Sequence, residues 1–241
     1  MPNWCWTNYK FIGESDKIKQ FYDFICDVRE NPPMDTMTTS YNHMAQLLTK
    51  AGVDYRNSDC GGWVVDVILS EDGRTIEVTS EDKWCPKDRG WYDLLQALNL
   101  QNDIRMLYYG EEPNCEVYET NDVNREFVTD RYVMHANVTG GDNDRYDQSY
   151  EEEADIVDDV NLIIGTNCNT FDEAATECQK YNQENEDNRY ICIHKIDVVT
   201  DKPSYNDERS TIRKIVDKII DEAKNAVQPE SDGDRDGENL V

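Results

Sequence analysis

Met1-Pro2-Asn3-Trp4-Cys5-Trp6-Thr7-Asn8-Tyr9-Lys10-Phe11-Ile12-Gly13 opens the chain, and its alternation decides the fold. Read as a strand, it sends Cys5, Thr7, Tyr9 and Phe11 to one side and Trp4, Trp6, Asn8 and Ile12 to the other. Bulky residues on both sides predict a strand with neighbours on either hand, inside a sheet. A central strand that starts this early leaves no room for a secretory leader, so a cytosolic setting is expected.

Working outward, Ser15 is placed to cap a helix over about 15–29, whose Ile18, Phe21, Ile25 and Val28 recur at helical spacing. Asn31-Pro32-Pro33 ends it. A short helix bearing Met44, Leu47, Leu48 and Ala51 closes at Gly52. Glu71-Asp72-Gly73 separates two β-rich runs, 63–69 and 74–79, as the turn of a hairpin. A helix with Trp91, Leu94, Leu95 and Leu98 on one face and a strand over about 104–109 complete the order β-α-β-β-α-β. Right-handed crossovers make that an α+β fold, a ferredoxin-like antiparallel sandwich over residues 1–138, with the first strand between the third and fourth. Segments 116–120 and 126–137 are expected to extend its sheet.

Past Gly140-Gly141 the character changes. Residues 139–159 read as an acidic loop or linker, and Asp142, Asp144, Asp147, Glu151, Glu152, Glu153, Asp155, Asp158 and Asp159 form a candidate partner-binding segment. Residues 160–164 read as a strand. Thr170 and Glu173 have capping-box spacing ahead of a helix with Ala174, Ala175, Cys178 and Tyr181. A strand over 190–199 and a helix buried along Ile212, Ile215, Val216, Ile219, Ile220 and Ala223 follow. Residues 160–227 thus predict a smaller β-α-β-α unit. Residues 228–241, acidic and nearly devoid of apolar side chains, predict a disordered tail.

Charge narrows the function classes. With 51 acidic and 24 basic residues the net charge is -27, which repels nucleic acid and anionic membranes and favours a basic protein surface as partner. Solubility or adaptation to salt is the plainer account of the same number. No apolar run approaches the ~18 residues of a membrane span. The 8 cysteines include no Cys-x-x-Cys pair, so they read as reduced thiols, and neither a metal nor a cofactor is expected. His43, His135 and His194 are isolated in sequence, and no phosphate loop, nucleophile elbow or metalloprotease helix occurs. No catalytic residue is assigned.

The opening Met1-Pro2-Asn3-Trp4-Cys5 with Asn8, the turn Lys83-Trp84 with Pro86, and Glu111-Glu112 together resemble the YubB-type ferredoxin-like domain of phage, plasmid and integrated-element proteins, over about residues 1–135. The resemblance implies that fold, a mobile-element origin and a place in the host-cell cytosol; it implies no activity. In this topology the start of the first strand meets the ends of the third and fourth. Trp4, Trp6, Asn8, Lys83, Trp84, Glu111 and Glu112 therefore form a candidate binding notch, with Lys83 near a carboxylate; a structural corner brace is the alternative.

Two functions follow as expectations. One is a non-enzymatic acidic protein that inhibits a basic, nucleic-acid-handling host defence protein by presenting carboxylates, as a DNA mimic would. The other is an enzyme or small-ligand binder with an aromatic-lined pocket and a buried, pKa-shifted carboxylate or thiol. Nothing in the sequence speaks to oligomeric state.

Overall fold

Two long antiparallel ladders hold the opening strand. The structure, a computed structural model, describes residues 3–33, 42–141, 145–185 and 189–200. Strand β1 (Trp4–Gly13) is followed by helices α1 (Ser15–Glu30) and α2 (His43–Lys50), strands β2 (Gly62–Leu69) and β3 (Thr75–Lys83), helix α3 (Asp88–Ala97) and strand β4 (Ile104–Glu112). β1 runs antiparallel to both β3 and β4, between them as the element order predicts. Strand β5 (Val117–Thr120) and a two-residue β9 (Asp197–Val198) extend this sheet, giving the order β2-β3-β1-β4-β5-β9.

The main core lies on one face of the sheet. Cys5, Thr7, Tyr9 and Phe11 turn inward, and the rings of Tyr9 and Phe11 lie 5.5 and 5.1 Å from that of Trp91 in α3. Phe21 of α1 meets Phe11 edge-on at 5.0 Å. Each such ring removes enough apolar surface to contribute about 2–3 kcal/mol. The other face is open at its Trp4–Trp6 end.

The C-terminal half departs from its sequence reading. Strand β6 (Tyr132–Asn137) does not extend the first sheet; it centres a second one, β7-β6-β8, with β7 (Arg145–Tyr150) and β8 (Tyr190–Lys195). Residues 139–159 are not a linker, because β7 and most of helix α4 (Glu153–Ile164) lie there. Residues 160–164 are accordingly helix, not strand. Helix α5 (Phe171–Glu184) begins as predicted: Thr170 Oγ1 accepts from the Glu173 N–H at 3.3 Å, while Glu173 reaches back to the Asn169 N–H. At α1 the cap is Glu14, not Ser15, and no side chain bonds there. The helix over 212–223 and the tail at 228–241 lie outside the described residues.

The fold of the described residues is therefore α+β, with five α-helices, a six-stranded sheet and a three-stranded sheet. α4 and α5 cover one face of the second sheet around Met134, Ala136, Ile156, Val160 and Ile191. Its other face meets the first sheet through Val133 and Ile196 against Tyr118, on which His194 stacks at 4.3 Å.

Candidate binding face

The ladder registers draw a line across the outer face of the larger sheet. Trp63 pairs with Glu81, Glu81 with Trp6, Trp6 with Glu111, and Glu111 with Tyr118. Directly opposed residues share a face, so aromatic and acidic positions alternate along one row, and at its β2 end the Trp63 ring meets that of His43 of α2 edge-on at 6.2 Å. Trp63 is 39% and Trp6 41% exposed; Trp4 and Trp84, at the same end of the sheet, are 39% and 51%. Only Trp91 of the five is buried. Four half-exposed tryptophans thus gather at one end of the sheet.

Toward β4 and β5 this face is covered, whereas Ile68 and Glu77 on β2 and β3 remain exposed. Asp122 gathers the 121–131 loop by accepting from the N–H groups of Glu126, Phe127 and Val128. Burial pushes its pKa up, but these three donors outweigh burial and hold the carboxyl below the usual range. The loop lays Phe127 over Lys10 and pairs Glu126 with Arg105. At the other end of the row Tyr118 is buried beneath His194, making a wall. Glu111 is oriented by the Tyr109 hydroxyl, which donates to it at 2.8 Å. Burial, and then the Glu111 charge, suppress ionisation of that hydroxyl.

Trp84 stands out by its backbone. The Cys85 N–H donates to the Lys83 carbonyl at 2.9 Å, closing a three-residue turn with Trp84 at its centre and φ at +70°. For a bulky residue that conformation costs about 1–2 kcal/mol. The Trp84 N–H ties the turn to the Asn3 carbonyl. A strained backbone thus delivers a half-exposed indole beside the row.

The expected notch comes together in part. Trp4 opposes Lys83, Trp6 opposes Glu111, and the three strand ends meet. Glu112 does not join them: adjacent strand residues face opposite ways, and Glu112 is buried, accepting from the Asn114 backbone and side-chain N–H groups. Lys83 is exposed beside Gly61 and, among the described residues, pairs with no carboxylate, contrary to expectation. Asn8 sits one row along, accepting from the Thr79 hydroxyl. Sequence reading missed Trp63 and Glu81. The hairpin register would have found the first, whereas Glu81 is lost in an acidic background.

The acidic segment is not a free row of carboxylates. Asp142 and Asp144 lie outside the described residues. Asp147 bonds His135 at 2.7 Å, Glu152 pairs with Arg125, and Asp159 accepts from Tyr150. Glu153 accepts from the Phe171 N–H at the start of α5. Glu151, Asp155 and Asp158 remain on the surface.

Beneath the tryptophans, on the inner face, lies a buried polar group. Asp82 accepts from the Tyr9 hydroxyl at 2.6 Å and from the Lys87 N–H at 3.2 Å. The Lys87 ammonium pairs with Asp59 at 3.3 Å. Burial raises the Asp82 pKa despite Tyr9 and Lys87, and it pushes the neighbouring Cys5 thiol up to about 12. These are the shifted carboxylate and thiol of the enzyme reading, but they are packed shut. A side chain at Gly62 would collide with Asp82, and one at Gly110 with Pro86. The group anchors the turn after β3, with Asp82 and Cys5 both buried. Among the described residues no set of three ligating side chains could hold a metal. Compared with protein-family models, with curated proteins and with solved structures, the chain matches none.

Proposed function

We propose that this chain is a non-enzymatic acidic binding protein that docks a basic, nucleic-acid-handling protein on the row Trp63–Glu81–Trp6–Glu111. The observation that carries the reading is the exposure of four tryptophans at one end of the sheet, with carboxylates set between the two in the row. An indole face attracts a guanidinium, and an adjacent carboxylate completes its hydrogen bonds, so the row favours arginine over any neutral ligand. The net charge of -27 steers cationic partners toward it and turns nucleic acid away. Presentation is thus by a few carboxylates framed by indoles rather than by a long acidic row that imitates a duplex. The likeness of residues 1–135 to the YubB-type domain supports a phage or mobile-element setting, with inhibition of a host defence protein in the cytosol as the biological outcome. The test is titration of an arginine-rich peptide, followed by tryptophan fluorescence at rising salt. Affinity should fall with salt and with Trp6→Ala or the pair Glu81→Gln and Glu111→Gln. Affinity that ignores both salt and these variants would overturn the reading.

A further inference from the structure

The row has a repeat as well as a charge. Its unit is an indole followed by a carboxylate on the next strand, Trp63 with Glu81 and then Trp6 with Glu111. Adjacent strands are about 4.8 Å apart, so the unit recurs every ~9.6 Å across the sheet. A ligand chain lying across the strands must offer cationic side chains on one face at that interval. A polyproline II helix rises about 3.1 Å per residue with three residues per turn, so positions i and i+3 share a face ~9.3 Å apart. An extended strand shows same-face positions about 6.7 Å apart, and a helix shows them at ~5–6 Å. A strand fits at neither one interval nor two (~6.7 and ~13.4 Å), and a helix nears the unit only at i+7, ~10.5 Å, with an i+3 or i+4 side chain set between the two cations.

Resting on the basic-partner reading, we infer that the occupant is a polyproline II segment with arginine at every third position, Arg-x-x-Arg, crossing the strands from β2 to β4. One guanidinium stacks on Trp63 and bonds Glu81; the next stacks on Trp6 and bonds Glu111. Tyr118, buried under His194, closes the β5 end, so the row takes two such units and no third. Trp4 and Trp84 border the row on the side of the strand ends, where intervening prolines can pack on their rings. A segment already held in this conformation also loses little entropy on docking.

The experiment compares three peptides of identical composition, three arginines and six prolines. They are (Arg-Pro-Pro) repeated three times, Arg-Pro-Arg-Pro-Arg followed by four prolines, and three arginines followed by six prolines. Binding to the full chain is read by tryptophan fluorescence and by calorimetry. The first peptide should bind at least about tenfold more tightly than the other two, because only it seats two guanidinium groups at once. Trp6→Ala should reduce the three affinities to a common low value. Should that variant fail to fold, the pair Glu81→Gln and Glu111→Gln, exchanges on the sheet surface, serves the same comparison. If all three peptides bind equally to the unaltered protein, the spacing inference falls while the basic-partner reading stands. If none binds, both fall.

Discussion

At the scale of the residue, Trp84 and Asp82 are held against their intrinsic preferences, with opposite implications. Trp84 centres a three-residue turn at φ +70° that glycine, lacking a Cβ, adopts without strain. Trp84→Gly should leave thermal stability unchanged or raise it by up to about 1 kcal/mol while weakening peptide binding, as melting and titration would reveal. A large fall in melting temperature would make the indole a brace. Asp82 has a folded pKa raised by burial, so the folded state holds its proton more tightly than the unfolded one. Its contribution is therefore fully present below the unfolded value of about 3.9 and is lost as pH rises through the folded value. Asp82→Asn removes that dependence. The variant's stability relative to the unaltered protein should thus increase from pH 3.5 to 7 in denaturant titrations. A relative stability that falls over that range would show that Tyr9 and Lys87 overcompensate burial.

At the scale of the element, the first half was legible and the second was not, for physical reasons. β1, β3 and α3 each bury one face, so their apolar residues keep a period of 2 or of 3.6. α4 escaped because its first turns, Glu153 to Asp159, are as acidic as the loop before them, leaving Val160 to Ile164 to pass for a short strand. β7 has almost no inward-facing apolar residue; it is an edge strand held by β6, and five of its six positions are exposed. The site was half legible. The notch followed from topology, but Glu81 needed the register, and the closed state of the Asp82 group needed the packing around Gly62 and Gly110. Where the sequence did carry a cap, it can be checked. Thr170→Ala removes an acceptor for the Glu173 N–H and should cost about 1 kcal/mol by chemical denaturation.

At the scale of the whole molecule, the dominant quantity is charge. A net charge of -27 on 241 residues strains the compact state by self-repulsion and strengthens attraction to a cationic partner. Salt acts on both. Between about 0.01 and 1 M the Debye length shrinks from about 30 to about 3 Å. The melting temperature should therefore rise over the range in which affinity for an arginine peptide falls, and one salt series measured both ways tests the pair. A melting temperature that drops steadily with salt would mean that the ion pairs, among them Arg105–Glu126 and Lys50–Asp27, outweigh the repulsion.

The two-residue pairing of β9 with β5 has a consequence in time. Glu119 and Thr120 meet Asp197 and Val198 in parallel, and the Val199 N–H bonds the Thr120 carbonyl, so the edge of the larger sheet is finished by residues made long after it. At about 5–20 residues per second, a ribosome needs several seconds to make the intervening chain. Throughout that interval β5 is a bare edge, with Tyr118 uncovered and open to pairing with another nascent chain. Synthesis of this protein should therefore be most sensitive to chaperone supply after the first sheet has emerged and before the second arrives to cover it.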